Sequence, residues 1–391
     1  MTNLPQGWEV KTLSEIGEII TGSTPSKSNV EFYRKDYPFF KPSDFEQGYF
    51  LENAGDNLSK LGFGKARQLP PKTILVVCIG SLGKVALTRV IGSCNQQINA
   101  IIPHKNIISE YIYYYCISSK FQSILFSKAP QTTLAIFNKT EFSKLEIIYP
   151  KDIKEQERIV GILDFAFSKI DENIKKAKEN LANIDELMQS ALQKAFNPLK
   201  DNAKENYKLP QSWEWKSLEE ISENISAGGD KPKNCTESKT AKNQIPVYAN
   251  GVNNNGLVGY TDKATIIKPS LTISARGTIG FVCIRKEPYF PIVRLISLIP
   301  CENILCLHYL YFCLNFFIAK GEGSSIPQLT IPKFKSLQIP LPPLKEQEQI
   351  AKHLDFIFEK TKALKELYTK ELKDYEELKQ SLLDKAFKGE L

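Results

Sequence analysis

KEQERIVGILDFAFSKI, residues 154–170, returns 191 residues later as KEQEQIAKHLDFIFEKT at 345–361. The two stretches also close alike, LMQSALQKAF at 187–196 against LKQSLLDKAF at 378–387. Working outward, LPQGWEVKTLSEI at 4–16 recurs as LPQSWEWKSLEEI at 209–221. Two fainter echoes are IGSLGKVAL at 79–87 against RGTIGFVCI at 276–284, and FSKLEIIYP at 142–150 against FKSLQIPLP at 334–342. Matches that keep one order along the whole chain mark a tandem duplication.

Each unit therefore runs from a short anchor through a long variable stretch into a long charged helix. The anchors are legible: Thr12–Glu15 and Ser217–Glu220 are S/T-x-x-E capping boxes, each predicting a short helix. Trp8 and Trp213 precede them as packing pegs. The variable interiors, roughly 17–150 and 222–342, read as mixed α/β with many short strands. Runs 73–79 and 265–274 are β-branched, and each leads into a Gly-x-x-Gly turn, Gly80/Gly83 and Gly277/Gly280. Residues 111–126 and 308–317 predict aromatic-rich buried helices, followed by loops at 127–139 and 320–332.

The long helices carry the periodicity. Leu163, Phe167, Ile170, Ile174, Leu181, Ile184 and Met188 keep the 4-3 spacing of a heptad seam. In the second helix Leu354, Ile357, Leu364, Leu372, Leu378 and Leu382 make a looser stripe. About 45 residues at 1.5 Å each give roughly 65–70 Å per helix. An amphipathic helix this long, polar on both flanks, cannot bury its stripe on one small module. Two of matching length in one chain can bury theirs on each other. The expected fold is thus α+β: two α/β modules related by internal duplication, separated by two long helices that form an antiparallel intramolecular coiled coil. The expected boundaries are 1–150 and 199–342 for the modules, with 151–198 and 343–391 for the helices. Packing of each helix on its own module, or pairing between chains, is the alternative.

Charge becomes informative after that division. The chain holds 51 Lys+Arg against 44 Asp+Glu, a net +7. Residues 152–196 and 343–391 together carry 17 basic and 20 acidic groups, which leaves 34 basic and 24 acidic elsewhere. Cationic modules joined by a slightly acidic spacer suit a polyanion contacted at two places. The eight cysteines include no C-x-x-C, and His104, His308 and His353 are scattered, so no metal site is expected. The cysteines read as small buried hydrophobes of a reduced, cytoplasmic protein. No membrane span and no secretory leader are expected, because no apolar run is long enough.

The sequence holds no supported catalytic constellation. No D/N/S-P-P-Y/F loop of an amino-methyltransferase occurs, and GSLGK at 80–84 is too short for a phosphate-binding loop. The chain reads as a recogniser and not an enzyme. A coiled-coil scaffold for other proteins, a stand-alone DNA-binding protein and a self-sufficient modification enzyme are the rival readings.

The duplicated LPxxWxxxxLxEI anchors, K-E-Q-E-x-I helix starts and K-A-F helix ends resemble the specificity (S) subunit of type I restriction-modification systems. TGSTPSKSNVEFYRKDYPFFKPSDF at 21–45, ISARGTIG at 273–280 and PQLTIPKFKSLQIPLPPLKEQEQI at 327–350 carry the likeness further. The resemblance covers essentially the whole chain. It implies two target-recognition domains, each reading one half of a bipartite duplex DNA site, with the paired helices as spacer. It further implies two docked methyltransferase subunits and, in a restricting system, two motor-nuclease subunits. S-adenosylmethionine, ATP and Mg2+ would then reside on those partners, and this chain would need no cofactor.

Polar side chains on loops read bases, while Lys and Arg around them position phosphates. In the first module the candidates are Lys27, Arg34, Lys35, Lys41, Lys65, Arg67 and Lys84, with Gln96 and Gln97 as base readers. In the second they are Lys231, Lys233, Lys242, Asn253, Asn254, Asn255, Arg276 and Gln328. Arg276 stands out because it adjoins the Gly277 turn after an apolar strand.

Overall fold

A computed structural model of the chain describes residues 4–128, 136–196, 210–318, 321–322 and 329–391. It resolves into two compact units, Met1–Ala177 with Thr369–Leu391, and Lys178–Tyr368. Each unit therefore owns one module and a piece of both long helices, Ile153–Phe196 and Leu344–Ala386.

In the first unit the anchor strand Trp8–Thr12 pairs antiparallel with Glu146–Pro150, Trp8 opposite Pro150. The capping box closes next, with the Thr12 backbone N–H and hydroxyl both donating to the Glu15 carboxylate at 2.8 and 2.7 Å. A five-stranded sheet follows in the order Gly17–Thr21, Ile98–Pro103, Ile74–Val77, Val85–Thr88, Phe50–Leu51. Its pairs are antiparallel except the last. A small sheet orders Asp56–Leu58, Tyr37–Phe40 and Ser93–Cys94. Strand Ile74–Val77 is buried on both faces, as its unbroken ILVV run requires.

The second unit repeats the plan. Glu214–Ser217 pairs with Gln338–Leu341, and Ser217 and Glu220 form the reciprocal box, N–H to carboxylate 2.8 Å. A four-stranded sheet runs Ser222–Ala227, Ile296–Pro300, Ser270–Ile273, Val282–Arg285. The small sheet is Leu257–Thr261, Ile245–Tyr248, Phe290–Pro291. Each small sheet keeps one parallel pair at the same place.

One aromatic helix departs from expectation. Residues 109–128 form two helices, Ser109–Ile117 and Ser119–Lys128, and not one. Ser118 is extended (φ −67°, ψ 148°), and its hydroxyl donates to Tyr115 O while accepting from Phe121 N–H. A serine that satisfies both helix ends makes a local stop that apolar periodicity does not reveal. The matching helix Leu307–Phe317 is continuous.

The repeated motifs explain how helix and module join. Gln156 and Gln347, the Q of each K-E-Q-E, are fully buried. Gln156 accepts the Ile108 N–H at 2.9 Å and donates to Pro150 O at 2.9 Å and Asn106 O at 3.3 Å. Gln347 accepts the Cys306 N–H at 2.9 Å and donates to Pro342 O at 2.8 Å and Ile304 O at 2.9 Å. One side chain thus pins the helix start to the strand before it and to the start of the aromatic helix. The K-A-F ends plug the other side. Phe387 packs edge-on to Tyr111 and Tyr115, with ring centroids 5.4 and 4.9 Å away. Phe196 does the same beside Tyr309 at 5.6 Å.

Each module therefore receives the start of one long helix and the end of the other, so the two segments within a unit run in opposite directions. Lys379 meets Asp171 at 2.5 Å in the first unit, and Lys365 meets Asp185 in the second. The buried stripe takes Leu163, Ile170 and Ile174 in the first unit and Ile184 and Leu354 in the second. Phe167, Leu181, Met188, Ile357, Leu372 and Leu382 are half-buried along it.

Leu364 and Leu378 are a correction: they are 41% and 45% exposed, off the stripe. The next residue in each case, Lys365 or Lys379, takes the seam position. Lysine buries its aliphatic stem while its ammonium reaches an acid on the facing helix. Lys379 also lies 5.5 Å from the Phe167 ring centroid. Counting leucines misplaces a seam that runs through lysine stems.

Candidate nucleic-acid interface

In the first module a chain of hydrogen bonds gathers Arg67, Gln96 and Gln97. The Arg67 guanidinium donates to Thr21 O, and its backbone N–H donates to Ser23 Oγ. Thr24, one residue on, donates its hydroxyl to Gln96 Oε1. The Gln97 amide accepts from Asn95 Nδ2 at 2.8 Å and donates to Ile79 O at 3.4 Å, tying this loop to the Gly80 turn. Gly80 is needed there, at φ +82°, a conformation that side chains disfavour.

A second group sits around the small sheet. Lys27, Arg34, Lys35 and Lys65 are exposed. Helix Lys60–Lys65 is fastened against residues 30–32 by the Ser59 hydroxyl, which donates to Glu31 O and caps Gly62 N–H. Lys41 and Lys84 differ from the rest: they form ion pairs with Asp56 and Glu46, which offset their charge toward phosphate.

In the second module Lys231, Lys233 and Lys242 are exposed on a loop folded on itself by Asn243. The Asn243 amide donates to Asn234 O at 2.6 Å. Asn253, Asn254 and Asn255 are exposed at the tip of another loop. Asn250 ties that loop to the Arg276 turn, accepting the Ala275 N–H at 2.8 Å and donating to Val293 O at 2.6 Å. Arg276 is half-buried at this junction. The triplet and Arg276 are thereby joined in one surface region. Gln328 lies outside the described residues.

Sequence reading missed Arg285. It ends the strand Val282–Arg285, is 8% exposed, and reaches beneath the Asn triplet. An arginine closing an otherwise apolar strand, VCIR, was the available signal. It missed Gln156 and Gln347 as well, although both stand inside the repeated motif.

The remaining chemistry is quiet. All eight cysteines are free: Cys78, Cys94, Cys116 and Cys313 are buried, while Cys235, Cys283, Cys301 and Cys306 are only half-buried. Burial pushes the Cys78 and Cys94 thiols up to about 12 and raises Cys116 and Cys313 too, so these four stay protonated at neutral pH. Among the described residues no group of three or more His, Cys, Asp or Glu is arranged to hold a metal ion. No described helix is long and apolar enough to cross a membrane.

Comparison with known proteins meets this geometry. The family model "Type I restriction modification DNA specificity domain" matches twice, over residues 5–183 and 210–374. The HindI specificity subunit of Haemophilus influenzae is 39% identical over 176 residues, which span 44% of this chain and 38% of that one. The MjaIX specificity subunit of Methanocaldococcus jannaschii is 24% identical over 91% of this chain and 88% of its own length. Among solved structures, a chain from work on assembly and conformational transition of the type I R-M system aligns over 100% of both chains, with TM-score 0.81 and 19% identity. The HsdS subunit of Thermoanaerobacter tengcongensis aligns over 99% of this chain and 98% of its own, with TM-score 0.58 and 21% identity. Those two likenesses establish the fold. With most of its length matched by the same family domain in two copies, the chain belongs to the type I restriction-modification DNA specificity family.

Proposed function

We propose that this chain is the non-catalytic, sequence-reading subunit of a type I restriction-modification complex. Each module engages one half of a bipartite duplex site, and the paired helices fix the gap between the halves. One observation carries the reading: a single frame is built twice, with unlike polar and cationic loops on each copy. Two equal readers would need two equal loop sets. Lys379–Asp171 and Lys365–Asp185 sum to the same residue number, 550, which supports one antiparallel coiled coil of constant register.

The helices also offer the contacts for partner subunits. Phe165 and Phe356 occupy equivalent positions in the duplication and are 70% and 59% exposed. A large aromatic left in water twice at the same place suits one protein partner bound twice, here the methyltransferase subunits. S-adenosylmethionine, ATP and Mg2+ belong on the methyltransferase and motor-nuclease partners in this scheme.

Methylation-sensitive sequencing of the host genome, with and without the gene, tests the proposal. A gapped two-part methylated motif should vanish with the gene. An unchanged methylation pattern, together with salt-insensitive association of the purified chain with duplex DNA, would favour the protein scaffold instead.

A further inference from the structure

Residues 250–256 form a loop whose backbone is held in a rarely used shape. Asn254 (φ 47°, ψ 35°) and Asn255 (φ 52°, ψ 33°) are both left-handed, a region in which Asn is the best tolerated of the ordinary residues. The loop closes at its base through Ala249 N–H to Gly256 O, 2.8 Å. Gly256 is obligatory there, since a Cβ would stand 2.4 Å from Ala249 O at φ +79°. Two consecutive left-handed residues need an external hold.

Arg285 supplies it. Its guanidinium lies 3.6 Å from the Tyr248 ring centroid. Nε donates to Thr272 Oγ1 at 3.0 Å, and Nη2 donates to Asn255 O at 2.5 Å. The planar fork serves both acceptors at once, which a lysine ammonium cannot reproduce in the same geometry. At 8% exposure Arg285 is too covered to touch DNA itself. The three exposed amides above it are of the type that pairs with the adenine edge in the major groove, and such pairing needs a fixed backbone beneath.

We infer that Arg285 is a positioning residue for sequence reading, which sets the base preference of the second module by locking Asn255 and its neighbours in their left-handed conformation. This rests on the DNA-reading function proposed above. It assigns the preference of one half-site to a side chain that makes no contact with the site.

The test selects bound duplexes from a random-sequence pool with the full-length chain, and compares wild type with Arg285→Met and Thr272→Val. Arg285→Met should lower selectivity at one half-site by about tenfold and leave the other half-site's preference intact. Thr272→Val removes one of the two anchors and should produce a smaller loss at the same half-site, which keeps the test open should Arg285→Met fold poorly. Selectivity within twofold of wild type in both variants, or a loss shared equally by both half-sites, overturns the inference. A wild-type chain that selects no gapped two-part site overturns the DNA-reading function and this inference together, which separates the two failures.

Discussion

At the scale of single residues, the join between helix and module depends on two buried glutamines. Each satisfies three backbone groups at the join, one of them, Pro150 O or Pro342 O, fully buried, and leaving such a buried group unpaired costs about 1–3 kcal/mol. Gln156→Met should lower the stability of the first unit by about 2 kcal/mol, and Gln347→Met should act alike on the second. Urea denaturation of the full chain measures this, and a change under about 0.5 kcal/mol would show that the glutamines are dispensable. The K-E-Q-E motif was plain in the sequence, but its meaning was not. Periodicity marks Gln156 as a helical position; only the fold brings the Ile108 N–H and the Asn106 and Pro150 carbonyls around it. Arg285 is hidden for the same reason, since its acceptors Thr272 and Asn255 come from other strands and loops.

At the scale of elements, the anchors were readable because their chemistry is local. A capping box involves residues three apart, and both form as the sequence predicts. Glu15 and Glu220 hold their carboxyls below the ordinary value of 4.5, through the Thr12 backbone N–H and the Ser217 hydroxyl respectively. A folded value below the unfolded one means stability that is fully present above about 4.5 and lost as pH falls through the folded value. Gln at the same position keeps the reach-back hydrogen bond without a titrating proton. The double variant Glu15→Gln, Glu220→Gln should therefore show a flatter fall of melting temperature below pH 4.5 than wild type; parallel acid limbs would count against the caps. The seams are less local, and there leucine counting failed at two places. Leu364→Gln and Leu378→Gln should shift stability by under about 0.5 kcal/mol, whereas Leu354→Ala or Leu383→Ala, at two fully buried side chains, should cost about 2–5 kcal/mol. Equal losses at all four positions in a denaturant series would restore the leucine seam.

At the scale of the whole molecule, duplication was the most legible feature, because each copy of the scaffold must solve the same packing problem. What diverges are the loops to which reading is assigned in the proposed function. The loops of the two modules share almost no sequence, and loop positions carry no code that maps side chains to bases. The proposed spacer, in contrast, makes a geometric statement that loop chemistry does not touch. Inserting one heptad after Ala177 and a matching heptad after Tyr368 keeps both seams in phase and should lengthen the proposed coiled coil by about 10 Å. At 3.4 Å per base pair, the gap in the recognised site should grow by about three base pairs. Half-site sequences should stay as they were, because no reading loop has changed. Methylated-motif sequencing of cells that carry the lengthened chain reads both quantities in one experiment. A gap of unaltered length, or half-sites that change while the gap does not, would mean that the helices do not measure the distance between the two halves.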